Sequence, residues 1–160
     1  MSSQVLTTQE TTELTQTAWV RFLRAHAALT RELGARLEAE HALTMSDFDV
    51  LIQLYHAPDH AMKRIDIARQ VLLTPSGITR LLDGLERCGL VGKCSCESDA
   101  RISYAVLTEE GLRKVTAARE SHSADVEELF GAALSAEERD HLAELLGRLP
   151  LAPTAKECAE

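Results

Sequence analysis

From Thr74 to Arg87 the sequence reads Thr-Pro-Ser-Gly-Ile-Thr-Arg-Leu-Leu-Asp-Gly-Leu-Glu-Arg, and its polar chemistry falls on one helical face. Ser76, Thr79, Arg80, Asp83 and Arg87 recur largely at three- and four-residue spacings, opposite Ile78, Leu81, Leu82 and Leu85. Thr74 is a good N-cap, and Pro75 suits the first helical position, where its missing N–H is no loss. Small hydroxyls and Gly77 at a helix N-terminus, followed by an arginine, are what close approach to a major groove requires. The free N–H groups can meet a phosphate while the side chains reach base edges. Thr74, Pro75, Ser76, Gly77, Thr79 and Arg80 are therefore candidate DNA contacts. The competing reading is a solvated helix face, and Asp83 with Arg87 has the i,i+4 spacing of a surface ion pair.

That helix needs a partner to position it. Residues 64–71 read as a short preceding helix joined to it by a tight turn over 71–74. Ala68 lies ten residues before Ile78, so a small side chain lets the two helices approach and a branched one fills the crossing, as in a helix-turn-helix. Ile67, Val71, Ile78, Leu81, Leu82 and Leu85 would form the shared core. After the second helix, Leu90-Val91 and Tyr104 to Leu107 read as two short strands, with the polar segment Gly92 to Ser103 as a hairpin loop. Lys93, Ser95 and Arg101 sit on that segment, where a wing would touch the DNA backbone or an adjacent minor groove.

Outward from this centre, residues 9–40 read as one long helix, with Thr7 and Glu10 at capping-box spacing. Leu14, Ala18, Phe22, Leu29, Leu33 and Leu37 form its apolar stripe, widened by Trp19, Leu23 and Ala27. A stripe this broad implies burial against more than its own domain. Ser46 is expected to cap a second helix with Asp47 and Asp49 in its first turn, burying Phe48, Leu51, Ile52 and Tyr55 and ending at Pro58-Asp59. Thr108 is expected to cap a long helix to about Gly131. Ser135 to Glu138 has capping-box spacing and opens a last helix with Leu142, Leu145, Leu146 and Leu149, ended by Pro150 and Pro153. The expected fold is mainly α (α+β winged helix): six helices and a two-stranded β-hairpin wing in a single domain spanning 1–160.

Composition allows this. The 160 residues are 45% hydrophobic and 26% charged, an ordinary globular balance that excludes collagen-like and wholly disordered chains. No apolar run reaches the roughly 20 residues that cross a bilayer, and the first 30 residues lack the basic start and apolar block of a signal peptide. A cytoplasmic protein with no membrane partner is expected. A net charge of −8 at first opposes a nucleic-acid partner. Residues 63–101, however, hold seven Lys/Arg and five Asp/Glu, a net of +2, while the remainder holds ten against twenty, a net of −10. The acidity lies outside the candidate DNA face.

Cys88, Cys94, Cys96 and Cys158 form no paired CxxC knuckle and are expected to be reduced. Cys88, Cys94 and Cys96 cluster around the wing, so a redox-responsive regulator is one alternative to inert thiols. His56 and His60 have i,i+4 spacing, but Pro58 between them breaks the helix that would align them on a metal, and neither a metal nor a cofactor is expected. There is no G-x-S-x-G, P-loop or HExxH, so no enzyme is expected.

Asp99-Ala-Arg101, five residues, then Leu107-Thr108-Glu-Glu-Gly111 resembles the D-x-R-(x5)-L-T-x-x-G wing signature of the MarR family of winged-helix transcriptional regulators. Thr74 to Val91 is similar to that family's recognition helix and its exit into the wing, and the likeness extends over nearly the whole chain through Asp66-Ile-Ala68 and Asp49-Val-Leu51. The resemblance implies a homodimer joined by helices within 9–40 and 109–149, with 46–107 as the winged helix-turn-helix. Each subunit would present one recognition helix to a pseudo-palindromic double-stranded operator. Asp99 would orient Arg101 into the minor groove, and Leu107 and Gly111 would be structural. This wing, Gly92-Lys-Cys-Ser-Cys-Glu-Ser, carries fewer arginines than the family's often do. Many relatives bind anionic aromatic compounds, so Trp19, Arg21, Phe22, His26, Phe48 and Tyr55 are candidates for an effector pocket, against plain core or interface packing. The implied function is a repressor released by a small phenolic ligand. A dimeric interaction module without DNA binding is the alternative from another class.

Overall fold

The computed structural model describes residues 8–71, 75–95 and 103–149. In order these form α1 (Thr8–His41), α2 (Met45–His56), a 3-10 turn (Pro58–His60), β1 (Ala61–Lys63), α3 (Arg64–Gln70) and α4 (Pro75–Arg87). Then come β2 (Val91–Ser95), β3 (Ser103–Leu107), α5 (Glu109–Leu129), a second 3-10 turn (Gly131–Ala133) and α6 (Ala136–Gly147). The six helices agree with the sequence reading, and the wing carries more strand than expected. β2 runs on through Gly92 to Ser95, in register with β3 from Val91↔Leu107 to Ser95↔Ser103. A third strand, β1, pairs antiparallel with the other edge of β3, Ala61↔Val106 to Lys63↔Tyr104, so the sheet order is β1-β3-β2.

α2 begins two residues earlier than expected. Its cap is Thr44: the Thr44 hydroxyl accepts from Asp47 N–H at 3.1 Å, while the Thr44 N–H donates to the Asp47 carboxylate at 3.0 Å. Thr44 and Ser46 each stand three residues before an aspartate. Starting at Thr44 puts Leu43 and Phe48, both buried, at the two ends of a hydrophobic staple. Asp49 thereby falls beyond the first turn, and α2 buries Phe48, Val50, Leu51 and Leu54, leaving Ile52 and Tyr55 half-buried. Pro58 follows the helix, as expected; Asp59 and His60 take left-handed φ of 53° and 54° in the turn that leads into β1.

The chain divides into two compact units after His122. In the first, one core gathers Leu37 and Leu43, the α2 residues, Ile67 and Ala68 of α3, Ile78, Leu82 and Leu85 of α4, Leu90 and Val91, Ala105 and Leu107 of β3, and Val115 and Ala118 of α5. Val71 and Leu81 pack against it half-buried. Burying this set is the main drive for folding the unit. α1 contributes to the core only near its C-terminal end, through Leu37; over its first half Leu14, Trp19, Val20, Phe22 and Leu23 stay exposed. In the second unit, Arg139 makes a two-pronged ion pair with Glu127 at 2.9 and 3.0 Å. Ser135 caps α6: its hydroxyl accepts from Glu138 N–H at 3.3 Å and its N–H donates to the Glu138 carboxylate at 2.8 Å.

Candidate nucleic-acid interface

α4 is two-sided. Ile78, Leu82 and Leu85 face the core, while Thr79 and Arg80 are exposed near the helix N-terminus. Pro75, Ser76 and Gly77 supply the first turn of that helix. Ser95 ends β2. Thr74, Cys96, Asp99, Arg101 and Cys158 lie outside the described residues. Of the other wing cysteines, Cys88 and Cys94 are exposed.

The junction between α4 and the wing is tightly specified. Gly89 takes φ +71°, a backbone that L side chains rarely adopt. It closes α4 with the paired bonds of a Schellman motif, Gly89 N–H to Glu86 C=O at 2.9 Å and Leu90 N–H to Leu85 C=O at 3.0 Å. From the far side of the wing, Thr108 N–H donates to Leu90 C=O at 3.1 Å, and the Thr108 hydroxyl donates to Gly89 C=O at 2.7 Å. That hydroxyl also accepts from Gly111 N–H at 3.0 Å, so it caps α5 as expected. A Cβ on Gly111 would stand 1.9 Å from the Leu90 carbonyl oxygen. Leu107, Thr108 and Gly111 therefore tie the start and the end of the wing to one backbone point.

Between α4 and β2 runs a shallow depression of about 720 Å³ lined by Arg80, Asp83, Glu86, Arg87 and Lys93. The expected Asp83–Arg87 side-chain pair is replaced there. Arg87 Nε donates to the Asp83 backbone carbonyl at 3.2 Å, and the Asp83 carboxylate instead meets Arg64 at 3.4 Å and Lys93 at 3.5 Å. Lys93 Nζ lies 2.7 Å from Glu86, and the hydrogen bond to that carboxylate, with the charges of Glu86 and Asp83, raises its pKa above the ordinary lysine value. Arg64 and Glu86 were missed by sequence reasoning. The available signal was the i,i+3 spacing of Asp83 and Glu86, which puts two carboxylates on one side of α4.

The candidate effector residues fall into separate settings. Trp19, Phe22 and His26 follow one another along α1, with ring centroids 6.1 and 6.4 Å apart. Arg21 lines a groove on α1 with Glu13, Gln16, Thr17, Val20 and Arg24. Phe48 packs on the His122 ring at 4.7 Å, and Tyr55 lies beneath the Arg119 guanidinium at 4.9 Å with His60 stacked at 5.9 Å. His60 Nδ1 is 3.0 Å from the Tyr55 carbonyl. Among the described residues no group of three His, Cys, Asp or Glu is placed to hold a metal, and no helix is long and apolar enough to cross a membrane.

A helix-turn-helix whose second helix runs into an antiparallel hairpin, with the hairpin anchored beside that helix, defines a winged-helix DNA-binding protein. The sequence profile of the MarR family matches residues 43–103. The transcriptional regulator MhqR of Bacillus subtilis is 28% identical over 140 residues, covering 88% of this chain and 94% of its own. AbsC, a MarR family transcriptional regulator from Streptomyces coelicolor, superposes with a TM-score of 0.78 at 30% identity, over 90% of this chain and 93% of its own. Sco3205 of the same organism, solved in complex with DNA, has the same fold at a TM-score of 0.78 and 23% identity, over 91% of this chain and 88% of its own. The chain belongs to the MarR family of winged-helix transcriptional regulators. Its relatives are regulators of transcription and not enzymes.

Proposed function

We propose that this protein is a homodimeric repressor of a pseudo-palindromic operator, released by a small anionic aromatic ligand. In this reading residues 46–107 are the DNA-reading part. Thr74, Pro75, Ser76, Gly77, Thr79 and Arg80 meet the major groove, and the wing places Ser95 and Arg101, steered by Asp99, at the backbone and minor groove. The two subunits associate through helices within 9–40 and 109–149, holding the reading heads about 34 Å apart, one turn of the duplex. The observation that carries the reading is the division of α4, with Thr79 and Arg80 exposed while Ile78, Leu82 and Leu85 anchor the opposite face. Trp19, Phe22, His26, Phe48 and Tyr55 offer the aromatic chemistry for the ligand, and Arg21 the cationic.

The test is a mobility-shift titration on the duplex that flanks the protein's own gene, across a range of salt. Affinity should fall as salt rises, with a slope set by the number of phosphates neutralised, and so small a basic surplus predicts few of them and a modest slope. Arg101→Ala should lower affinity substantially while sedimentation still reports a dimer, and a salicylate-like compound should release the wild-type complex. An Arg101→Ala protein that binds as well as wild type would remove the wing from the reading. Unchanged DNA affinity across the phenolic series would remove the ligand.

A further inference from the structure

Lys93 is the one lysine in β2, and its position along the strand decides where it can reach. Val91 is buried against the core, and alternation along a strand puts Lys93 on the same face, toward α4. There it meets Asp83 and Glu86, one turn apart on α4, and behind them Arg64 at the start of α3. The four charges alternate: Arg64 to Asp83 at 3.4 Å and to Glu86 at 3.8 Å, and Lys93 to Asp83 at 3.5 Å and to Glu86 at 2.7 Å. Arg64 and Glu86 keep only 19% of their side-chain surface. The second Glu86 oxygen is buried without a hydrogen-bond partner among the described residues, so its charge depends on the two cations.

We infer that this cluster is a clamp that sets the wing against the recognition helix, and that Lys93 is a positioning residue acting through Glu86 instead of a phosphate contact. The inference rests on the reading that α4 and the wing meet DNA, and it deepens it. Two acids cancel two bases, so the cluster adds no net attraction for a polyanion. Each side chain is already held by two partners, so ordering it for a further contact gains little. The clamp joins three elements, α3, α4 and β2, at the side of the helix-turn-helix from which the wing departs. Among the described residues of α4, the exposed cations left to face a phosphate are Arg80 and Arg87.

Two conservative variants separate the roles. In DNA-free protein, amide hydrogen exchange over Val91–Ser95 should quicken alike in Lys93→Gln and Glu86→Gln, with the thermal midpoint of each confirming a folded chain. Unchanged exchange in both overturns the clamp whatever the DNA result. On the flanking-gene duplex, both single variants should bind about tenfold more weakly, and the double variant no more weakly than either, as for partners in one network. Their slopes of log affinity against log salt should also move together. A phosphate-contacting Lys93 gives the opposite pattern: Lys93→Gln alone lowers the slope by about 0.9, and Glu86→Gln strengthens binding by removing a negative charge beside the DNA. That pattern overturns the inference. If wild-type protein shows no salt-dependent shift, the DNA-binding reading fails, while the exchange comparison still decides whether the clamp exists.

Discussion

Gly111 sits where a single methyl group would meet a carbonyl oxygen at 1.9 Å, and that oxygen, on Leu90, is already held by Thr108. The obstacle is backbone, so no rotamer change relieves it. Gly111→Ala should destabilise the chain by about 3 kcal/mol, lowering the thermal midpoint by roughly 10 °C in a domain of this size; calorimetry at neutral pH checks it. A loss of less than a degree would mean α5 can slide at that junction. The motif residues Leu107 and Gly111 were legible because spacing and residue type together mark a tight junction. Lys93 was legible as a basic wing residue, yet its pairing was not. Its partners Glu86 and Asp83 lie seven and ten positions upstream, and no local spacing rule joins a strand to a helix that precedes it.

Elements begin where side chains satisfy their loose backbone groups, and α6 shows it plainly. The backbone N–H and the hydroxyl of Ser135 both donate to Glu138, which holds that carboxyl below its ordinary pKa. A lowered acid stabilises the folded form fully above the ordinary carboxylate range, and the gain fades as pH falls through the lowered value. Protection of the Ala136–Arg139 amides, taken against the intrinsic exchange rate at each pH, should therefore fall on acidification below about pH 4, and Glu138→Gln should flatten that response. Ser135→Ala should weaken the cap by about 1 kcal/mol, a roughly fivefold faster exchange at the same amides; unchanged rates would mean the cap is idle. The Ser135 box was legible because no rival stood beside it. At α2 two boxes overlapped, and the buried pair Leu43 and Phe48 favoured Thr44 over Ser46. β1 escaped notice because Ala-Met-Lys carries no pattern of its own, and its strand character comes from a partner more than forty residues later.

At the scale of the molecule, α1 exposes Leu14, Trp19, Val20, Phe22 and Leu23 along its first half. An apolar run of this kind on a free chain marks an association surface. Replacing Trp19 and Phe22 together by Glu should convert the proposed dimer to monomer in sedimentation and weaken operator binding at least tenfold, since each half-site would then bind alone. A double variant that still sediments as a dimer would shift the interface elsewhere on the chain. The broad stripe was readable in advance because it exceeds what one domain can cover, whereas the sheet, made of distant segments, was only partly so. That sheet has a temporal consequence. β3 is its middle strand but the last to be made, and β1, synthesised before the helix-turn-helix, has no neighbour until Ser103–Leu107 appears. A nascent chain emerges N-terminus first at about 5–20 residues per second, so α4 leaves the ribosome about 1–4 s before the strand that encloses it is complete. Until then α4 lacks its lasting frame, and a chain truncated before β3 should be unable to compete with the full-length protein for DNA.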